Sequence, residues 1–200
     1  MKFTKQTDKK EYVVPSGNHA GRIISVIDLG TQIDIFEGKE KQKHKIMITC
    51  ELSNEKADFG DGVEKPYVIS KTFTLSSHPK STLILFLQGA LGRDFTDDEL
   101  DVFDFQALNG TALLINVGHR EGENSTYSNI IGFAPIPKGM TVQEQINQSK
   151  YFSLDDFDET VYNSLNDYQK GLIAKSPEYQ KIINPPKPEI KSPGKQEALF

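Results

Sequence analysis

Between residues 44 and 52 the apolar side chains fall on every second position. Ile46, Ile48, Cys50 and Leu52 alternate with Lys45, Met47, Thr49 and Glu51. A period of two belongs to a half-buried strand and not to a helix. Similar segments recur through the middle of this 200-residue chain. An Ile/Val-rich strand is expected over residues 19–29, resuming over 32–36 beyond Gly30. The polar residues 37–43 read as a loop, and residues 67–75 as a third strand after the Phe59-Gly60-Asp61-Gly62 turn. Strands four and five are expected over 111–117 and 127–135, joined by a loop over 118–125. One helix interrupts the series. Leu83, Leu87 and Leu91 recur at helical spacing, with Ser77 as the expected cap, Pro79 in the first turn and Gly92 suited to the end. The acidic run from Thr96 through Asp97, Asp98 and Glu99 predicts a short second helix by the same capping logic.

The flanks differ in character. Residues 1–15 form a Lys-rich arm, 16–137 the strand-patterned body, 138–183 a helical extension and 184–200 a proline-rich strip too polar to fold, read as a disordered, flexible tail. In the extension, Asp155 and Asp156 suit a helix start, and Val161, Leu165, Tyr168, Leu172 and Ile173 follow at helical spacings until Ser176-Pro177. These helices are expected to pack on the body, with a second copy of the chain or another partner as the alternative surface. Asp155, Asp156, Asp158 and Glu159 would repel DNA, which places this part off any DNA track. A single cysteine excludes an internal disulfide and any Cys-based zinc site. No signal peptide or long apolar run is evident, pointing to the cytoplasm of a host cell and to no membrane. The net charge of −5 argues against a generic nucleic-acid binder, although residues 1–50 carry nine Lys/Arg against six Asp/Glu.

Three strands, a helix and two more strands is the order of an OB-fold, a five-stranded, partly open barrel that binds oligonucleotides. Another small β-barrel, or a sandwich with an inserted helix, fits the same order. Three phrases carry a further resemblance: Val14-Pro15-Ser16-Gly17-Asn18-His19 leading into Ile27-Asp28-Leu29-Gly30-Thr31-Gln32, then Ile69-Ser70-Lys71-Thr72-Phe73-Thr74, then Pro135-Ile136-Pro137-Lys138-Gly139-Met140. With these, residues 11–180 resemble bacteriophage single-stranded-DNA-binding proteins. The resemblance implies an OB-fold protein that coats exposed strands in replication or recombination. It supplies no contact residues.

Single-strand binders need cations along the phosphates and flat side chains under the bases. Odd positions of strand three offer Tyr67, Lys71 and Phe73; Lys43 and Lys45 enter strand two; Arg22 lies on strand one; Arg120 sits in the fourth loop and Tyr127 opens strand five. Each has a plainer reading. If the odd face of strand three points inward, Tyr67 and Phe73 are core and Lys71 is misplaced. Lys39, Lys41, Lys43 and Lys45, interleaved with Glu37 and Glu40, also suit a solvated hairpin tip, and Glu121 and Glu123 weaken Arg120. Enzyme chemistry and a bound cofactor find no support. His19, His44, His78 and His119 lack metal-ligand spacing, and Cys50 sits on an apolar face as a small hydrophobe. The acids 97–104 suit a capped helix better than a metal-dependent nuclease, and Gly60-Asp61-Gly62 is not a phosphate loop.

The chain closes on Gln196-Glu197-Ala198-Leu199-Phe200. Gln196, Leu199 and Phe200 resemble the short peptides by which replication and repair proteins hold the bacterial sliding clamp. The terminal Phe is shared with the acidic tails of single-stranded-DNA-binding proteins, but Lys187, Lys191 and Lys195 here outnumber Glu189 and Glu197. Two functions stay open: a single-stranded-DNA-binding protein that recruits partners through its tail, or an adaptor that docks to a replication protein with little DNA affinity.

Overall fold

The computed structural model describes residues 13–123 and 125–185. The chain is mainly β. Strands β1 (Gly17–Phe36), β2 (Lys39–Asp58), β3 (Glu64–Thr74), β4 (Ala112–Glu121) and β5 (Thr126–Pro135) form an antiparallel path in the order β3-β2-β1-β4-β5. A short sixth strand, β6 (Lys150–Phe152), adds in parallel to β1 at Ser25–Ile27. It lies inside the stretch expected to be wholly helical. The sheet is open: no ladder joins its ends, β3 and β5.

The first two strands are longer than their apolar content predicts. Residues 39–43, expected as loop, are strand, and the turn shrinks to Glu37 and Gly38 with φ of 51° and 72°. Two successive positive φ values make the tight turn whose twist suits a hairpin. β1 absorbs two extra residues, Ile24 and Leu29, where its pairing with β2 slips; β2 alternates without interruption from Lys39 to Leu52.

Helix α1 (Thr82–Leu91) lies between β3 and β4 in sequence and packs mainly against β5. Its cap is Ser81, whose hydroxyl accepts from the Ile84 N–H, so the helix starts later than Ser77 and Pro79 suggest. Gly92 ends it at φ 66°. Thr96 and Glu99 form a capping box on α2 (Asp97–Asp101). Leu83, Phe86 and Leu87 turn inward; Phe86 meets Phe73 of β3 at 5.0 Å and Phe133 of β5 at 4.6 Å between ring centroids. These rings fill the seam that hydrogen bonds leave open.

A second apolar cluster lies on the other side of the sheet. Ile27, Leu29 and Met47 are covered by Phe152, Leu154, Leu165 and Ile173. Burying each such side chain contributes roughly 1.5–3 kcal/mol before entropy. The covering elements are β6, α3 (Glu159–Asn163) and α4 (Asp167–Ile173), followed by α5 (Pro177–Ile183), which Ser176 caps. The extension therefore packs on the body through its own core. Among the described residues no helix is long and apolar enough to cross a membrane.

Candidate nucleic-acid interface

Because β2 keeps strict alternation, Lys39, Lys41, Lys43 and Lys45 stand on one side of it, and Met47 and Thr49 continue the same side. Directly paired residues share a side, so Asp34 (opposite Lys41) and Gln32 (opposite Lys43) belong there too. Four ammonium groups thus line one side of the protruding β1–β2 hairpin against one carboxylate on its paired strand. Asp34 lies 3.7 Å from Lys43 and hydrogen-bonds Lys45, whose donation, with Lys43 adding to it, holds the Asp34 carboxyl below its usual range. The reverse side of the hairpin carries Ile33 and Ile35, 60% and 75% exposed.

The root of the hairpin is fixed to the C-terminal helices. Glu178 of α5 accepts from the Thr31 N–H (2.9 Å) and hydroxyl (2.6 Å). His44 Nε2 lies 2.6 Å from Asp28 Oδ1, and its Nδ1 lies 3.7 Å from Glu178. The hydrogen bond to Asp28 raises the His44 pKa above the ordinary histidine value, against partial burial and with Glu178 and Asp155 adding to the rise.

Past Lys45 the lysine side runs onto the outer face of the sheet. There Ser25, Thr49 and Ser70 stand side by side across β1, β2 and β3, with Thr49 Oγ1 2.9 Å from Ser70 Oγ. The chain at Ile146–Lys150 and the start of α4 rise opposite this face, leaving a groove of about 840 Å³. Glu51, 1% exposed, holds the second wall in place: its carboxylate accepts from the Ile146 N–H, the Asn147 N–H and the Asn147 side chain at 2.7–2.8 Å.

The expected contact residues scatter. Lys43 and Lys45 lie on the lysine side. Arg120 and Tyr127 pair directly across the β4–β5 hairpin; both are exposed and line a shallow hollow. That hairpin adjoins the opposite end of β1 from the lysines. The odd face of β3 points inward, which corrects three expectations. Phe73 is 2% exposed, and Tyr67 packs on the core and against Phe59. The Phe73 ring is closed to a base, and the Tyr67 ring is part-buried and engaged by these neighbours. Lys71 donates to the Ile130 carbonyl at 2.7 Å, bridging the seam to β5. Arg22 is corrected as well: its guanidinium donates to the carbonyls of Gly110, Val142 and Gln143, tying the C-terminal chain to β1. Cys50 is buried, and burial pushes its thiol up to about 12, the behaviour of a small hydrophobe. Gln196, Leu199 and Phe200 lie outside the described residues.

Sequence reading passed over the even side of β3 and the C-terminal wall of the groove. The signal for the first is the Ser70-x-Thr72-x-Thr74 series, hydroxyls on alternate positions opposite Ile69 and Phe73. No protein-family model matches this chain, and no curated protein matches it in sequence.

Proposed function

We propose that this protein binds single-stranded DNA, with the lysine side of the β1–β2 hairpin as its phosphate track. The observation that carries the reading is the set of four lysines at alternate β2 positions. Alternate positions are about 6.6 Å apart along a strand, so the ammonium groups form a row that a flexible polyanion can follow. The row and the polar groove lie on the same face of the sheet. Arg120 and Tyr127, near the other end of β1, supply a further cation and an exposed ring. The sheet path β3-β2-β1-β4-β5, with a helix between β3 and β4 and an unpaired seam, supports reading the body as an OB-like barrel left open at β3 and β5. The three phage-like phrases favour the same reading, in replication or recombination. In this reading Gln196, Leu199 and Phe200 recruit a partner of the sliding-clamp kind, on the strength of their sequence alone.

Fluorescence anisotropy with labelled oligo-dT at several salt concentrations tests it. Binding is expected to be length-dependent and to weaken steeply with salt. A Lys39→Ala/Lys43→Ala variant should flatten the log–log salt slope by about 1.4, the value for two lost single-strand phosphate contacts. Absence of binding at low salt sinks the reading. The adaptor reading would then gain, and Ile33 and Ile35 on the reverse side of the hairpin are the observation that favours it.

A further inference from the structure

The groove over the outer face of β2 and β3 is nearly free of charge, in a chain of which 26% of the residues are charged. Lys150 is the one charged side chain among the described residues that line it. Its sheet wall presents hydroxyls, including Ser25, Thr49, Ser70 and Thr72, and its C-terminal wall presents the amides of Asn147, Gln148 and Asn166. Hydroxyls and amides each donate and accept hydrogen bonds. Apolar surface lies among them: Val68 is 49% exposed, Ile146 62% and Tyr168 67%. A ligand suited to this lining is uncharged at its edges, carries both donors and acceptors, and has flat apolar faces. Unpaired nucleobases meet all three requirements.

We infer that this groove receives the bases of a bound single strand, with Tyr168 of α4 as a stacking platform. The inference rests on the single-strand reading above and extends it to a site built by the C-terminal segment. A face shared with the lysine row is the second argument. Lys45, Met47 and Thr49 follow one another on the same side of β2, so the lysine row and the groove lie on one face of the sheet, with Met47 between them buried under Leu165 and Ile173. The walls are preorganised. Glu51 fixes Ile146 and Asn147, Lys150 donates to the Ser164 carbonyl at 2.8 Å, and the Gln169 amide lies 3.7 Å from Met47 Sδ. The acids of the extension, Asp155, Asp156, Asp158 and Glu159, are not among its lining residues. The charge argument drawn from those four acids therefore does not cover the groove; the one acid of α4, Asp167 in its first turn, does not line it either.

The test separates bases from phosphates. Full-length protein is titrated with oligo-dT and with an abasic deoxyribose-phosphate oligomer of equal length. Wild-type protein should prefer oligo-dT. Tyr168→Ala should weaken oligo-dT binding about ten- to a hundredfold and leave the abasic oligomer unchanged, and Tyr168→Phe should restore most of the loss. Equal wild-type affinity for the two oligomers, or unchanged oligo-dT affinity in Tyr168→Ala, would overturn the groove while leaving phosphate binding intact. Binding of neither oligomer would overturn the single-strand reading and the groove with it.

Discussion

Glu51 is a carboxylate taken out of water and surrounded by donors, and its stability role follows from that alone. Three N–H bonds from Ile146 and Asn147 converge on it. Truncation leaves those donors facing a void, and each unsatisfied buried group costs about 1–3 kcal/mol. Glu51→Ala is expected to lower the unfolding free energy in urea by roughly 2–4 kcal/mol, and Glu51→Gln, which keeps the shape and one acceptor, by less. Equal stability of Glu51→Ala and wild type would mean that the segment is held by other contacts. At this scale the sequence was legible where a side chain's neighbours agree with it and misleading where they do not. Cys50 sits among Ile46, Ile48 and Leu52 and is buried as they are. Lys71 shares its side of β3 with Tyr67, Ile69 and Phe73, and that apolar row, not the lone ammonium, decides which way the strand faces. The long lysine stem carries the charge to the seam, where the Ile130 carbonyl receives it. Arg22 was legible as a cation but not as a tie, because the carbonyls it binds lie about a hundred residues away in the chain.

Among elements, the paired strands β1 and β2 set the geometry of the lysine row and contribute to both apolar clusters. Their apolar halves could be read from alternation. The distal part of β2 could not, because Lys, Glu and Gln occupy both its sides and it is held by backbone pairing with residues 32–36 of β1, which the sequence did mark as strand. β6 escaped for another reason: three residues give no period, and their strand form depends on an edge of β1 that only the fold exposes. α1, α2 and their caps were legible to within a turn, since Ser81, Gly92 and Thr96 act locally. The bulge at Gly30 is where element geometry meets tertiary packing. Gly30 has φ 67°, and a Cβ there would lie 2.5 Å from Ser176 Cβ and 2.8 Å from Leu154 Cδ1. Gly30→Ala should therefore combine a left-handed backbone penalty with a clash against the cap of α5, costing about 2–4 kcal/mol. Thermal unfolding checks this; a melting temperature within a degree of wild type would show that the C-terminal helices can shift at no cost.

For the molecule as a whole, the open sheet is lined on both faces: one apolar cluster under α1, the other under the C-terminal helices, with β1 and β2 contributing to both. Body and extension therefore depend on each other, although the sequence changes from strand to helix pattern between them. The order of the first five strands along the chain was legible from the sequence. The placement of the extension over the outer face was not, because nothing local in residues 138–183 says which face of the body it covers. The terminal peptide makes its prediction at this scale. Sliding clamp should be recovered in a pull-down by the full chain and lost when Gln196 to Phe200 are removed, with oligo-dT affinity unchanged. Equal recovery by both would leave the tail without that role. The anchoring of α5 through Glu178 to Thr31 bears on what such a tail could do. From Ile183 to Phe200 the chain can reach no farther than about 60 Å at full extension. Anything gripped at its end is leashed beside the root of the lysine hairpin, at an effective concentration on the order of millimolar. If the chain holds a single strand as proposed, a partner too dilute to find that strand unaided would meet it as a resident neighbour.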